Sequence, residues 1–290
     1  MQPGAVAWFD SEMRLALLGL LIVAGCSGRP QCPTIPATRA TEPFLWRVSG
    51  PLGSLTIQAT HQGVGGDAVS QSAWSALDGT SLYVTEANEA TEHTPADPSR
   101  PSPMFELDGI SLEQLLPATD FRELQRRTNV DPNELRRMKP WVAFVLLGRS
   151  QVSFPDRSMN RELLDRARRH GAHIVFLESW DDQMRYLDAA ITPAKLSRAI
   201  RGASTMQCDL ERRIAAFRAG DDAVFANDIT PDEPIVTRTE GWYARLRHVV
   251  DGQRAFVAIG IGQLLGPYGL LARFARDGYQ VLRLSGTPAR

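Results

Sequence analysis

The chain has 290 residues, which fits one large domain or two small ones. Hydrophobic residues make up 43% of the chain and charged residues 22%, the usual proportions of a globular protein with a sizeable core. The 32 basic and 33 acidic side chains leave a formal net charge of −1, which provides no electrostatic basis for binding nucleic acid.

The N-terminal segment has the pattern of a bacterial lipoprotein signal peptide. An apolar run from Leu15 to Gly25 is too short to span a bilayer comfortably, and it ends at Cys26. The sequence Val23-Ala-Gly-Cys26 resembles a lipobox, in which the cysteine is acylated and becomes the new N-terminus. A buried core helix ending at a free thiol is the alternative. Met13-Arg14 supplies the basic residue that precedes such a run, so we expect translation to start at Met13.

This pattern predicts three regions: a lipoprotein signal peptide over residues 1–26, a flexible tether over 27–42 and an α/β domain over 43–290. The predicted membrane partner is lipid, through an acylated Cys26. Ser27 after the cysteine is compatible with the outer membrane, so we expect a lipid-anchored envelope protein that faces the periplasm.

Two further cysteines, Cys32 in the tether and Cys208 in a helical region, leave two interpretations open. An exported compartment permits a disulfide between them, whereas two unrelated thiols are equally compatible with the sequence. Neither cysteine has a histidine nearby in the sequence, so a catalytic thiol is not indicated.

Apolar runs and turn signals predict alternating strands and helices along the rest of the chain. The predicted strands are 43–49, 55–60, 80–85, 172–177, 254–259 and 279–284. Helices are predicted for 67–77, within 111–147, for 158–170, through most of 181–251 and for 269–277. Residues 88–102 predict a surface loop or a disordered insertion. The order indicates an α/β fold, with a mixed central sheet flanked by helices and a helical insertion.

Two matched turns stand at opposite ends of the predicted domain. Gln62 follows the small residue Ala59 by three positions, and Gln263 follows Gly260 by three. Each turn comes directly after a short apolar strand. Matched turns of this kind suggest one shared site, in which each glutamine stands where a metal-binding histidine would be suitable.

Taken in order, the landmarks of the chain resemble the TraB/GumN family, which also includes the Tiki ectodomains. The resemblance extends over nearly all of residues 43–290. It is carried by Pro43-Phe-Leu-Trp-Arg-Val, Ala59-Thr-His-Gln, Glu86 at a strand end, Lys139-Pro-Trp, Leu177-Glu-Ser-Trp-Asp-Asp-Gln, Arg238-Thr-Glu-Gly-Trp, Ala258-Ile-Gly-Ile-Gly-Gln-Leu-Leu-Gly-Pro-Tyr-Gly and Gly278-Tyr-Gln-Val-Leu-Arg.

The resemblance implies a metal-dependent peptidase or hydrolase, whose site is lined by two Gly-x-x-His histidines and nearby glutamates. This chain departs from that pattern, with Ala59 for glycine and Gln62 for histidine in the first turn and Gln263 for histidine in the second. Arg238-Thr239 stands where members often have Arg-Asn, and Ser158-Met-Asn160 lacks an aspartate that members often carry.

An amide changes what such a site can do. Glutamine offers only a neutral oxygen, which is a weak ligand without companion carboxylates, and it cannot act as a general acid or base. We therefore expect no tightly bound cofactor and a non-catalytic binding or interaction module, with a peptide or protein ligand in the cleft.

Two other interpretations of the glutamine pair remain. A divalent metal ion held by Glu86, Glu178 and the two amide oxygens of Gln62 and Gln263 would make the protein a hydrolase with an altered site. Alternatively, His61 would become a ligand after a one-residue slip, which is disfavoured because neighbouring side chains on an extended segment point to opposite faces.

Three charged residues complete the candidate site. Glu86 and Glu178 follow apolar strands, and carboxylates at strand ends of an α/β sheet are well placed to line a cleft. A helix cap or a surface salt bridge is the alternative for each. Arg238 is predicted to open a helix. It is expected either to clamp a carboxylate in the cleft bidentately or to pair with Glu240 or an aspartate on the surface.

Overall fold

The computed structural model describes residue 32 and residues 44–87, 104–105, 109–226 and 233–284. Within these residues the strands are β1 (Leu45–Ser49), β2 (Ser54–Thr60), β3 (Leu82–Thr85), β4 (His173–Phe176), β5 (Arg254–Gly260) and β6 (Gln280–Arg283). The predicted signal peptide with Cys26, most of the predicted tether and the predicted loop at 88–102 lie outside the described residues.

The strands form one mixed sheet in the order β4-β3-β5-β2-β1-β6. Strands β4, β3, β5 and β2 run parallel to one another, whereas β1 pairs antiparallel with both β2 and β6. The carboxyl ends of the four parallel strands therefore lie at one edge of the sheet. Ala258 of β5 is opposite both Gln58 of β2 and Thr85 of β3 at that end.

The central parallel strands are buried on both faces. The stretch from Ala255 to Ile259 in β5 is fully apolar and is buried throughout. Near-continuous apolar runs of this kind are typical of parallel strands covered by helices on both sides. The predicted α/β class with a mixed sheet is confirmed.

Helices connect the strands and cover the sheet. Their bounds are α1 (Gln71–Asp78), α2 (Leu112–Leu115), α3 (Ala118–Thr128), α4 (Pro132–Arg137), α5 (Pro140–Gln151), α6 (Met159–Arg169), α7 (Trp180–Ala190), α8 (Pro193–Arg201), α9 (Ala203–Ala219), α10 (Ala223–Ala226), α11 (Glu233–Val250), α12 (Ile261–Leu264) and α13 (Leu270–Arg276).

The first helix begins later than the sequence predicts. Residues Gly66–Ala68 form a separate 3-10 turn, and α1 starts after Ser70, whose hydroxyl accepts a hydrogen bond from the backbone N–H of Ala73. A serine that caps the helix in this way ends the preceding extended backbone, which explains the shift from the predicted start at Asp67.

The predicted helical insertion has a hydrophobic core of its own. Apolar residues from α2, α3, α4, α5, α7, α8 and the start of α9 pack together, separately from the cluster that covers the sheet. Trp141, at the second position of α5, is buried in this second core. The buried hydroxyl of Ser197 on α8 donates a hydrogen bond to the carboxylate of Asp120 on α3. Arg201 donates to the same serine hydroxyl.

A disulfide joins Cys32 to Cys208 on α9, across a sequence separation of 176 residues. Of the two interpretations of these cysteines, the disulfide is therefore the one that the structure contains. Among the helices in the described parts of the chain, none is both long enough and apolar enough to cross a bilayer.

Candidate functional site

The candidate site lies at the carboxyl edge of the parallel strands. Glu86 directly follows β3, and Glu178 lies two residues beyond β4, the neighbouring strand. Backbone hydrogen bonds continue the pairing past the strand ends, from Leu177 N–H to the Thr85 carbonyl and from Glu178 N–H to the Glu86 carbonyl. The strand pairing therefore places the two carboxylates side by side.

Arg238 binds both carboxylates. Its Nε lies 3.0 Å from Glu178 Oε2 and its Nη2 lies 2.5 Å from Glu178 Oε1, which is a bidentate ion pair. The same Nη2 is 3.6 Å from Glu86 Oε2. The side chains of Arg238, Glu178 and Glu86 are only 11%, 8% and 16% exposed, so the cluster is almost completely shielded from water.

The sequence leaves two arrangements open for Arg238, a bidentate clamp on a carboxylate and a surface pair, and the structure contains a bidentate pair with Glu178. The predicted position of Arg238 on its helix is wrong. Arg238 lies inside α11, which begins at Glu233, rather than opening the helix. The alternative partner Glu240 pairs instead with Arg273, at 3.8 Å.

Two aromatic rings lie against the guanidinium of Arg238. The Arg238 Cζ atom is 4.5 Å from the ring centre of Tyr186 and 4.4 Å from that of Trp242. Burial alone would lower the pKa of Arg238, but its hydrogen bond with Glu178 and the charges of Glu86 and Glu178 outweigh burial and raise the pKa above its usual value. The arginine is therefore a permanent cation at the centre of the cluster.

Glu86 has a second partner in the backbone of the last turn. Its Oε1 accepts a hydrogen bond of 2.5 Å from the N–H of Gly260, the residue that ends β5. A Cβ atom at Gly260 would lie 3.0 Å from the same carboxylate oxygen. Glycine at this position therefore permits the close approach of the β3 end to the turn that carries Gln263.

Gln263 lies next to the ionic cluster. It belongs to the short helix α12 and is 8% exposed. Its Oε1 accepts a hydrogen bond of 3.0 Å from the hydroxyl of Thr239, the residue after Arg238 on α11. The same hydroxyl also contacts the carbonyl of Ile235 at 2.8 Å. Because a hydroxyl has a single proton, Thr239 donates to only one of these two oxygens at a time, so the Gln263 amide oxygen shares its donor with a backbone carbonyl.

Gln62 is placed differently from Gln263. It lies two residues beyond the end of β2, and its side chain is exposed. Within the described part of the chain, no hydrogen bond or ion pair joins it to Glu86, Glu178, Arg238 or Gln263. The structure therefore places Glu86, Glu178, Arg238 and Gln263 together. Gln62 lies at the same edge of the sheet, but its side chain is exposed to solvent.

His61 packs into an aromatic cluster instead of facing the carboxylates. Its ring centre is 5.6 Å from that of Phe217 and 6.0 Å from that of Phe225, and its Nδ1 accepts a hydrogen bond of 3.0 Å from the Gly63 N–H. Burial, with a smaller contribution from the charge of Arg213, lowers the pKa of His61 from 6.5 to about 4. The imidazole therefore stays neutral over the physiological range.

Four contributors to the cluster are missing from the predicted site residues, and one of them is Trp242, whose ring lies against the Arg238 guanidinium. Tyr186 lies two turns into α7, Thr239 follows Arg238, and Gly260 acts through its backbone N–H. Thr239 carried a sequence signal as a departure from Arg-Asn, and Gly260 and Trp242 lie in segments that carry the family resemblance. A tyrosine on a neighbouring helix gives no pattern in a single sequence.

The described residues also contain ionisable groups and a cavity outside the cluster. No set of three or more histidine, cysteine, aspartate and glutamate side chains there is arranged to hold a metal ion. A surface cavity of about 470 Å³ lies farther along α11, lined by Glu240, Tyr243, Arg247, His248, Asp251, Arg273 and Ala244. None of the cluster residues lines this cavity, so it is separate from the candidate site.

The chain matches the model of a known protein family. A model of the TraB/PrgY/gumN family matches residues 44–283, which include every described element of the sheet and the whole ionic cluster. Neither the curated proteins nor the solved structures yield a match to the chain.

Proposed function

This chain belongs to the TraB/PrgY/gumN family, and we propose that it is a lipid-anchored envelope protein whose family domain is a non-catalytic binding module. Its ligand is a peptide or protein segment that enters the cleft at the carboxyl edge of the sheet. The observation that carries this proposal is the engagement of both candidate carboxylates by Arg238.

A metal ion would have to compete with this arginine. Both oxygens of Glu178 accept from Arg238, and one oxygen of Glu86 accepts from the Gly260 N–H. A divalent cation placed between the carboxylates would meet a permanent positive charge a few Å away, in surroundings where charges are poorly screened. The residues present therefore do not fit the metal that the family resemblance implies.

The two glutamines support the same conclusion. The Gln263 oxygen lies 3.0 Å from the Thr239 hydroxyl, which it shares with the Ile235 carbonyl, and Gln62 is exposed at the edge of the sheet. Neither amide can take or release a proton near neutral pH, so neither replaces a catalytic histidine. In the cluster, the ion pair between Glu178 and Arg238 joins the segment after β4 to α11, and the rings of Tyr186 on α7 and Trp242 on α11 flank the guanidinium.

The second candidate is a divalent-metal-dependent hydrolase with an altered site. It is favoured by the convergence of Glu86 and Glu178 at the carboxyl edge of a parallel sheet, where ligands of α/β folds commonly bind. In that case the metal would displace Arg238 from at least one carboxylate, and substitution of Glu178 by glutamine would abolish metal binding and activity together.

Lipid anchoring at Cys26 is the other part of the proposal, and the lipobox supports it. Metabolic labelling with palmitate followed by mass spectrometry of the N-terminal peptide tests it directly. We expect a diacylglyceryl-modified Cys26 and loss of label in the Cys26→Ser variant. An unmodified Cys26 in the mature protein would overturn the anchoring.

Binding at the cleft is tested with a peptide array and two matched variants. Gln62→Arg places a bulky charge at the rim of the cleft, and Gln71→Arg places the same charge at an exposed site on α1. We expect the purified domain to retain a defined subset of peptides, to lose them in Gln62→Arg and to keep them in Gln71→Arg. Equal retention by both variants, or cleavage of the bound peptides, would contradict a non-catalytic cleft.

A further inference from the structure

The disulfide limits the distance between the folded domain and a lipid anchor at Cys26. Cys26 precedes Cys32 by six residues, and a fully extended stretch of that length spans at most about 20 Å. The Cα atoms of Cys32 and Cys208 are 5.1 Å apart. A lipid on Cys26 would therefore hold the middle of α9 within about 25 Å of the bilayer surface, whatever the rest of the tether does.

The surface around Cys208 suits a charged bilayer rather than its hydrocarbon interior. Helices α8 and α9, residues 193–219, contain six arginine and lysine residues against two acidic residues, a net charge of +4. Arg201 and Arg212, with 65% and 42% exposed side chains, lie on either side of Cys208 along the chain. Their ion-pair partners are the buried Asp120, at 3.5 Å, and the exposed Asp209, at 3.4 Å. Ser204 and Thr205 between them are also exposed, and the large exposed apolar residues of the described chain all lie elsewhere.

The same helix reaches the rim of the candidate cleft. A Cβ atom added to Gly63, the neighbour of Gln62, would lie 2.6 Å from Ile214 Cγ1 on α9. Ile214 is six residues beyond Cys208, which corresponds to about 9 Å along the helix. Helix α9 therefore connects the disulfide and its neighbouring basic residues to the rim of the candidate cleft.

We propose that the basic face of α8 and α9 around Cys208 docks on anionic phospholipid headgroups, so that the disulfide holds the cleft beside the bilayer. This inference rests on the lipid-anchor part of the proposed function and not on what the cleft binds. The ligand would then be reached at the membrane surface, in a membrane-proximal segment of its protein.

Vesicle binding tests the basic face without any acylation. The chain from residue 26 onward, with Cys26→Ser and the disulfide intact, is sedimented with vesicles of phosphatidylcholine alone or with added phosphatidylglycerol. We expect binding only to the anionic vesicles. The pair Arg198→Gln and Arg212→Gln should weaken it roughly 25-fold, from about 1 kcal/mol per charge. The matched pair Arg47→Gln and Arg254→Gln, at exposed arginines on the sheet, should leave it unchanged.

Energy transfer then tests the orientation. Cys26 is coupled chemically to a maleimide lipid, and a fluorescent noncanonical residue is placed at Thr205 on α9 or at Leu52 in the β1–β2 turn, at the opposite end of β2. We expect stronger transfer to an acceptor lipid from position 205 than from position 52, and loss of this difference after reduction of the disulfide.

Each outcome supports or overturns the membrane-facing surface. Equal binding by the two double variants, or equal transfer from positions 205 and 52 with the disulfide intact, would overturn it. Because the lipid is attached chemically, these results do not depend on acylation in cells. Absence of acylation in cells overturns the anchoring itself and is detected separately by mass spectrometry.

Discussion

Glu178 makes the shortest contact with the buried arginine, and its charge is the part of the cluster that substitution tests most directly. Both Glu178 and Arg238 are nearly inaccessible to water, and breaking one partner of a buried ion pair leaves the other charge uncompensated. We expect Glu178→Gln to lower the free energy of unfolding by about 3 kcal/mol, at the low end of the range for such pairs, because Glu86 still faces the guanidinium.

The control is Glu240→Gln, which removes a half-exposed ion pair with Arg273 at 3.8 Å. Urea titration measures the free energy of unfolding of both variants. We expect Glu240→Gln to change it by no more than about 0.5 kcal/mol. Equal, small effects of both substitutions would mean that the Arg238–Glu178 pair contributes nothing to the fold, which would leave Glu178 free for another role.

His61 predicts a pH dependence of stability at the same scale. Its pKa is lowered to about 4 in the folded protein, against 6.5 for an accessible imidazole, because of burial and then the charge of Arg213. Between these values the unfolded chain binds more protons than the folded one. The stabilising effect is therefore complete above pH 6.5 and is lost as the pH falls toward 4.

Urea titrations at several pH values measure this effect. We expect the wild type to lose up to about 3 kcal/mol from this residue over that interval, whereas His61→Asn, whose side-chain oxygen can still accept from Gly63, should lack this part of the slope. Substitution of the exposed His248 by glutamine is the matched control and should keep it. An unchanged slope in His61→Asn would show that His61 is not the group responsible.

At the scale of single elements, the turn between β5 and α13 has two glycines with opposite requirements. A Cβ atom at Gly269 would lie 2.3 Å from the Leu264 carbonyl oxygen, whereas a Cβ atom at Gly262 would have no neighbour within 4 Å. Gly269→Ala should therefore displace the backbone that positions α12 and lower the melting temperature. Gly262→Ala should be neutral or stabilising by up to about 1 kcal/mol, since alanine favours the helix. Identical melting temperatures for the two variants would show that the turn is not packed as described.

The disulfide connects two elements that are far apart in the sequence, and its removal is expected to act mainly on the unfolded chain. Loss of a native disulfide typically costs about 2–5 kcal/mol, more for long loops such as the one closed here. Reduction should lower the urea midpoint of the wild type by a corresponding amount and should not affect Cys32→Ser, which is already at the lower value. A wild-type midpoint that is insensitive to reduction would contradict a structural role for the Cys32–Cys208 bond.

At the scale of the whole molecule, the order of strands and helices follows from the sequence because it depends on local patterns. The apolar run at 255–259 is long enough to identify a strand and too short for a typical buried helix. Helix starts were less predictable. Asp67 and Ser70 are both of residue types that cap helices, and in the structure Ser70 caps α1, with Ala73 and Leu77 of this helix in the core.

The candidate site was predictable to the extent that it follows strand ends. Glu86 and Glu178 could be placed at one edge of the sheet because parallel strands end on the same side. The partners could not be placed in this way. Tyr186 and Trp242 lie on two different helices, and only the tertiary packing of α7 and α11 brings them to Arg238. The opposite exposures of Gln62 and Gln263 likewise depend on tertiary structure.

The central claim is that Arg238, and not a metal ion, neutralises Glu86 and Glu178. Elemental analysis of the purified wild-type domain after incubation with zinc, manganese or cobalt and gel filtration tests it most directly, with Gln62→His/Gln263→His measured in parallel. The account predicts substoichiometric metal in the wild type and no peptide cleavage. One equivalent of metal in the wild type, lost in Glu178→Gln together with hydrolytic activity, would contradict it.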